Sequence, residues 1–252
     1  MDIAVWKKYK NAKKRFKDFA DDLSSSLPDL KNILQCFVNS RSGVENSSYT
    51  VDTPVVYNNA LDDITKDDEI KIILAADNPG RREQAAENRR YLTGPSGKIA
   101  AKFFINNPSL GIDFKKNVII LNKTPVHTPR TSELRDLCRA EDSRRNLKNA
   151  LDSSQVFMAS LLFEFHMIFS CPVWITGYSE MRKGGIFQTY TEKLKELYAD
   201  NRDLTEKLFF YRHFSMNQFT IDLKQQSLAG ETVKQSLNRI GRARRKIILE
   251  RI

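Results

Sequence analysis

Four short hydrophobic runs, each rich in β-branched or aromatic residues, constrain the fold of this chain more than any other feature. Each run is too short for a typical helix and too continuous for a strand with one face in water. Such runs are typical of strands buried on both faces, as in a parallel sheet. The runs are Ile70–Ala75, Val118–Leu121, Pro172–Thr176 and Leu208–Tyr211.

Helical patterns lie between these runs. Helices are predicted at Ile99–Ile105, Leu147–Ile168 and Tyr190–Leu197, where apolar residues recur at helical spacing. Strands that alternate with helices indicate βαβ units. The sequence therefore predicts an α/β fold, namely a three-layer α/β/α sandwich with a central four-stranded, mostly parallel sheet.

The two ends of the chain are helical in character. An apolar stripe predicts a helix over residues 1–24, a second helix is predicted over Leu27–Val38, and a polar stretch up to Asp68 indicates mostly loop. The predicted organisation is a helical N-terminal extension (1–67), an α/β core (68–224) and a basic C-terminal helix packed on the core (225–252).

Positive charge is concentrated at the same two ends. The 252 residues carry a net charge of +10, to which residues 1–20 and residues 225–252 contribute +5 each. The 27 basic and 27 acidic residues between them cancel. Basic ends on a neutral core indicate contact with a polyanion, usually nucleic acid. Two solvated amphipathic helices are the alternative explanation, because charge alone is unspecific.

Several functional classes find no support in the sequence. The three cysteines form no C-x-x-C pair, and the three histidines lack the spacing of metal ligands, so we expect no metal and no cofactor. No apolar run approaches the ~20 residues of a membrane span, and the charged N-terminus lacks a signal-like apolar segment. These features predict a cytoplasmic protein without membrane contact, and we expect a monomer.

Polar side chains follow the predicted strands directly. Asp77 and Asn78 come after the first strand, and Asn122 ends the second. His213 follows the fourth strand. Because ligands of open parallel sheets bind at the carboxyl ends of the strands, we expect two amides and an imidazole to converge on one rim.

The residues at this rim resemble motifs of the uracil-DNA glycosylase superfamily. Its mismatch-specific and single-strand-selective branches carry G-x-N-P-G after the first core strand, where this chain has A-D-N-P-G at Ala76–Gly80. The superfamily's aliphatic strand ending in Asn is similar to V-I-I-L-N at Val118–Asn122. Its H-P-S-P motif is matched in part by H-F-S-M at His213–Met216, and the P-F-V-G-P-A-G of family-four type enzymes is similar to Y-L-T-G-P-S-G at Tyr91–Gly97.

The likeness covers roughly residues 68–220 and has departures. Ala76 replaces the usual first glycine, and Phe214 and Met216 replace both prolines of the last motif. The four iron–sulfur cysteines of the family-four type are absent, so no cluster is carried over. The altered last motif favours one alternative, a catalytically silent relative that binds nucleic acid.

The resemblance implies a hydrolase that removes uracil, or a related deaminated base, from DNA and initiates base excision repair without a metal. Asn78 would orient the attacking water, and His213 would donate a hydrogen bond to uracil O2 as charge builds there. Asn122 would donate to O4 and accept from N3–H, a pattern that cytosine reverses. Asp77 is grouped with the base-binding residues, and Tyr91 would stack on the flipped base.

The remaining implied contacts are with DNA. Met216 would fill the gap left by the flipped base, and backbone amides of the glycine-containing turns would approach a phosphate. The predicted DNA-contacting residues are Gly80, Gly94, Ser96, Lys98, Ser215 and Met216. Each of these positions also has a structural alternative, such as an ordinary Asn-Pro-Gly turn at Asn78 or a turn that opens a helix at Gly94.

Overall fold

Helices and strands alternate along the chain in the computed structural model, which describes residues 1–41, 49–139 and 145–250. The strands are β1 (Ile72–Ala76), β2 (Val118–Asn122), β3 (Val173–Thr176) and β4 (Leu208–Tyr211). The helices are α1 (Ile3–Ser26), α2 (Leu30–Arg41), α3 (Pro95–Ile105), α4 (Thr131–Arg139), α5 (Arg145–Phe169), α6 (Gln188–Tyr198), α7 (Arg202–Thr205), α8 (Gln218–Gln226) and α9 (Val233–Arg245). Short 3₁₀ turns cover Asn59–Leu61, Pro108–Leu110, Tyr178–Met181 and Ser215–Asn217, and a wider π-helical turn covers Lys246–Glu250.

The strands form one sheet in the order β2-β1-β3-β4. Each pairing is parallel, and the register sets Ala76 opposite Asn122 and Ala75 opposite Ile175. Every residue of β1, β3 and β4 is buried, as expected for strands covered on both faces. The predicted parallel sheet is confirmed, and in the described residues it is parallel throughout.

Helices cover both faces of the sheet. On one face, strand residues such as Ile73, Ile119 and Phe210 share a core with α1, α2, α5 and α6. On the other face, alternate residues such as Leu74 and Trp174 pack with α3, α8 and α9. Successive side chains of each strand point to opposite faces of the sheet, so they form two separate hydrophobic cores. The predicted three-layer α/β/α sandwich is confirmed.

The connections between strands explain where a ligand would bind. α3 leads from β1 to β2 on one face, whereas α5 and α6 lead back to β3 and on to β4 on the other face. Right-handed crossovers require this change of face when the chain reverses its direction across the sheet. Because of this reversal, the loops that follow β1 and β3 diverge and leave a crevice between them. Ligands of open parallel sheets usually bind in such a crevice.

The N-terminal helix is part of the core rather than a detached arm. Tyr9 and Phe16 of α1 are buried in the same cluster as the sheet. The Tyr9 hydroxyl donates to the Leu61 carbonyl at 2.6 Å, and the Phe19 ring stacks on Phe157 of α5 at 3.8 Å between centroids. Residues 1–26 therefore stabilise the face of the sheet that α5 covers.

The basic C-terminal region contains the end of α8, a turn and α9. Thr232 and Gln235 form a reciprocal capping box that starts α9. Gly241 lies against β4 so closely that a Cβ atom there would be 2.7 Å from the Phe209 Cβ atom and 2.8 Å from the Tyr211 hydroxyl. α9 therefore lies directly against β4, and this helix spans Val233–Arg245.

Much of the positive charge of α9 is compensated within the protein. Arg239 pairs with Glu231 at 2.7 Å, Arg244 with Asp222 at 2.5 Å and Arg245 with Glu206 at 2.8 Å. Arg245 is buried, so its guanidinium serves the fold. The charge excess read from the sequence therefore overstates the field that this helix presents to a polyanion. None of the helices in the described ranges has the length and apolar character needed to cross a bilayer.

Candidate functional site

A cleft of about 1060 Å³ opens at the carboxyl edge of the sheet, between the loops that follow β1 and β3. Asp77 and Asn78 line it from the loop after β1. Asn122 lines it from the end of β2, and His213 from the loop after β4. The structure thus brings together four of the predicted site residues, because parallel strands end at the same edge of the sheet.

The amide of Asn78 is held in one orientation by the loop after β2. Its Nδ2 donates to the Thr128 hydroxyl at 2.9 Å and to the Thr128 carbonyl at 3.3 Å. Its Oδ1 accepts from the Thr131 hydroxyl at 3.0 Å. A carbonyl can only accept, so the contact with Thr128 assigns Nδ2 without ambiguity. The carbonyl end of Asn78 keeps a second lone pair, which can accept from a water.

Buried His127 connects the loop after β2 to the turn that carries Asn78. Its Nδ1 lies 2.8 Å from the Pro79 carbonyl, and its Nε2 lies 2.8 Å from the Tyr49 hydroxyl. Since the carbonyl only accepts, Nδ1 carries the proton and Nε2 accepts from Tyr49. Burial lowers the pKa of His127 to about 4, so the ring is neutral near pH 7.

Asn122 is the most unusual polar residue at the cleft. Its side chain is 1% exposed. Both Nδ2 and Oδ1 are buried, and neither has a hydrogen-bond partner in the described residues. Leaving a buried donor or acceptor unpaired costs about 1–3 kcal/mol each, and native proteins rarely do so. The pair is therefore suited to a ligand edge that offers an acceptor beside a donor.

His213 presents one nitrogen as a donor. Its Nδ1 accepts from the Ser215 backbone N–H at 3.1 Å, which leaves the proton of the neutral ring on Nε2. Burial lowers the pKa of His213, with Asp77 opposing the fall and Lys123 adding to it. The neutral imidazole is thus the form expected near pH 7, with Nε2–H as its donor.

A buried carboxylate accepts hydrogen bonds from backbone amides that were predicted to approach a phosphate. Glu83 is buried and accepts from the Gly80 N–H at 3.2 Å. The N–H groups of Leu92, Thr93 and Gly94 also donate to it. Burial raises the pKa of Glu83 to about 7 against the effect of these four donors. Gly80 and Gly94 do line the cleft, as do Ser96 and Ser215, but the amides of the two glycines face Glu83.

Tyr91 does not line the cleft. Its ring is buried on the other side of the chain, where the hydroxyl donates to the Val56 carbonyl at 2.5 Å. Leu92, held at a φ of +51°, lines the cleft instead. The left-handed backbone turns these neighbours to opposite sides, which the motif match could not reveal. The cleft-lining aromatic ring in the described residues is Tyr178, with Arg182 lying 5.6 Å from its centroid.

Two predicted DNA-contacting residues lie outside the cleft. Lys98 lines a separate groove beside the edge strand β2. Met216 is 84% exposed next to Ser215 and has a φ of +50°, and Asn217 beside it has a φ of +57°. Methionine is strained in this left-handed conformation, which asparagine tolerates, and such strain is typical of functional loops.

Sequence reasoning missed a ring of guanidinium groups. These arginines line the cleft and come from the middle of the chain, whose net charge is zero. Two of them adjoin predicted site residues, Arg81 after Gly80 and Arg212 before His213, and this signal would have identified those two. The five arginines are Arg81, Arg82, Arg130, Arg182 and Arg212.

Comparison of the chain with protein-family models, curated proteins and solved structures finds no match. The likeness to uracil-DNA glycosylases therefore depends on the short motifs alone.

Proposed function

We propose that this protein is a DNA glycosylase that hydrolyses the N-glycosidic bond of uracil, or of a related deaminated base, in DNA. The observation that carries this proposal is the buried amide of Asn122, whose donor and acceptor are both unpaired among the described residues. Uracil offers O4 as an acceptor beside N3–H as a donor, so one planar amide can satisfy both. Deaminated purines present the same edge and remain within the proposal.

The two other polar side chains fit the same chemistry. Asn78, oriented by Thr128 and Thr131, would hold a water through its carbonyl oxygen. His213 would donate from Nε2 to O2 of the base. A neutral imidazole suits this task, because it stabilises the developing anion without transferring a full charge.

The reaction balances as a hydrolysis. The bond between C1′ and the base nitrogen breaks, and its electron pair leaves with the base. The water oxygen forms a bond to C1′, so that the sugar keeps a hydroxyl and the second hydrogen of the water ends on the base. An amide at position 78 is a weak base, so it orients the water, and we expect a slower enzyme than one with a carboxylate there.

The surroundings of the cleft support DNA as the substrate. The five arginines around the cleft provide charge for phosphates. Exposed Met216 on its strained loop would enter the duplex where the base has left. Leu92 would pack against the flipped base. The proposed catalytic and base-binding residues all belong to one chain, so the proposed reaction needs no second copy of it.

A catalytically silent DNA-binding relative is the second candidate. The departures in the H-F-S-M loop favour it, as does the engagement of the Gly80 and Gly94 amides by Glu83. This candidate predicts binding of single-stranded or duplex DNA without release of any base.

Base release from a labelled oligonucleotide with one uracil tests the proposal. The substrate is presented single-stranded, opposite adenine and opposite guanine, with alkaline cleavage of the abasic product. Asn78→Ala protein, purified in parallel, controls for a contaminating glycosylase. Release by the wild type alone supports the proposal. Absence of release from uracil, hypoxanthine and xanthine, with DNA binding retained, would favour the silent relative.

A further inference from the structure

A fully buried lysine lies directly behind the cleft. Lys123 follows Asn122 in the chain and is 0% exposed. Its Nζ donates to the Asp77 carboxylate at 2.6 Å, to the Thr176 carbonyl at 2.5 Å and to the Ala76 carbonyl at 3.3 Å. Three acceptors require three N–H groups, and a neutral amine has two, so this side chain is an ammonium ion.

Stability alone does not explain a cation at this position. Burial lowers the pKa of Lys123, and the Asp77 carboxylate opposes that fall. Buried ion pairs are often matched or exceeded in stability by apolar residues of similar volume. A methionine would span the same space beside Phe187, whose ring centroid lies 4.9 Å from Nζ. The charge therefore requires a functional explanation.

The ion pair lies within electrostatic reach of the proposed base site. Asp77 lines the cleft. Gly177 approaches its carboxylate so closely that a Cβ atom there would be 2.2 Å from Oδ1, so only glycine at position 177 leaves room for the carboxylate. Asp77 and Lys123 also act on His213 in opposite directions.

We propose that Lys123 is a positioning residue that works through Asp77: its ammonium holds the carboxylate in the cleft wall and offsets the negative charge that the departing base would otherwise meet. This inference rests on the proposed base release. The electron pair of the broken bond leaves with the base, so an uncompensated carboxylate beside it would oppose departure. With Lys123 present, the wall is neutral and still shaped by the carboxylate.

The charged groups that face this ion pair determine what a substitution at Lys123 changes. Asp77 is faced by Lys123 from the end of β2 and by His213 from the loop after β4. Lys123 is also influenced by Glu180 from the turn after β3. In a Lys123→Met protein, the Asp77 carboxylate loses its counter-charge and faces the departing base as an uncompensated negative charge. Base release by this variant should therefore slow down, and removing the carboxylate as well should restore it.

The test compares single-turnover base release by Lys123→Met, Asp77→Asn and the double variant. We expect Lys123→Met to lose at least about tenfold in rate and to be rescued by adding Asp77→Asn. Lys71→Met, at the opposite end of β1, makes the same substitution outside the cleft and should keep the wild-type rate.

Circular dichroism melts establish that each variant is folded at the assay temperature. If Lys123→Met does not fold, Lys123→Gln removes the charge while keeping a donor for the strand carbonyls. Equal rates for the wild type and folded Lys123→Met would overturn the inference. A double variant no more active than Lys123→Met would also overturn it. Absence of base release by the wild type refutes the proposed function instead, so the two failures are distinguishable.

Discussion

The Thr128 hydroxyl accepts from the Asn78 amide at 2.9 Å and donates to the Arg130 carbonyl at 2.9 Å. The second contact uses the only proton of the hydroxyl, so the first must be donated by Asn78. The direction of the Asn78 amide, and with it the place of a water at Oδ1, therefore depends on a residue fifty positions later in the chain.

Removing this hydroxyl should disturb the water without disturbing DNA binding. We expect Thr128→Val to lower kcat at least about tenfold with little change in KM, because small misplacements of reacting groups cost about that much or more. Thr128→Ser keeps the hydroxyl and should retain most of the activity. A Thr128→Val protein with wild-type kcat would show that the carbonyl contacts suffice to orient Asn78.

Asn122 should be required for base release although it lowers the stability of the fold. Asn122→Leu removes an unpaired donor and an unpaired acceptor, so it should raise the free energy of unfolding by at least about 2 kcal/mol while abolishing base release. Asn58 provides a matched control, because its buried Nδ2 donates to the Ile120 carbonyl at 2.8 Å and its Oδ1 accepts from two backbone amides. Asn58→Leu should destabilise. Urea unfolding measures both, and a loss of stability in Asn122→Leu would argue against an orphaned amide.

Substitutions at the neighbours Tyr91 and Leu92 should have different effects, the first mainly on stability and the second mainly on base release. Tyr91→Leu should lower the free energy of unfolding by about 2–4 kcal/mol, because a buried ring and its hydrogen bond to Val56 are lost. Its kcat/KM should be unchanged below the melting temperature. Leu92→Ala should weaken base release several-fold with a smaller cost in stability. Loss of base release in Tyr91→Leu, with normal base release in Leu92→Ala, would instead assign the stacking role to Tyr91.

Salt dependence should distinguish the cleft arginines from the basic C-terminal helix. Each phosphate contact adds about 0.9 to the slope of log affinity against log salt for duplex DNA. Arg82→Gln and Arg182→Gln, both at the cleft, should each reduce the slope by about that amount. Arg239→Gln should leave it unchanged, because Arg239 pairs with Glu231 on the outside of α9. A reduced slope for Arg239→Gln would assign α9 to the DNA interface.

Glu83 should make stability depend on pH near neutrality. Its pKa is raised from 4.5 to about 7 in the folded protein, so the stability gained from its protonated form is complete below pH 4.5 and is lost as the pH rises through 7. The difference in unfolding free energy between wild type and Glu83→Gln should therefore fall by about 2–3 kcal/mol between pH 5 and pH 8. Contributions of His127 and His166 are present in both proteins and cancel. A constant difference would mean that the four backbone donors keep Glu83 ionised throughout.

The sequence by itself determined the architecture and the edge of the sheet that carries the cleft. Runs of β-branched and aromatic residues are long enough for buried strands and too short for helices, so the sheet and its layers followed from local composition. Residues directly after a strand must lie at its carboxyl end, which is why Asn78, Asn122 and His213 were expected on one rim and line one cleft. These inferences need only the direction of the chain.

The tertiary structure alone decided which side chains face the cleft and which partners they meet. A left-handed turn at Leu92 buries Tyr91, and the fold closes four amides around Glu83. Lys123 finds its acceptors on two segments, at Ala76–Asp77 and at Thr176, and internal ion pairs compensate charge on α9. The Lys123 contacts join residues about fifty positions apart, and the turn at Leu92 depends on backbone angles that no short motif specifies. Charge, burial and hydrogen bonding at the cleft are therefore properties of the folded chain.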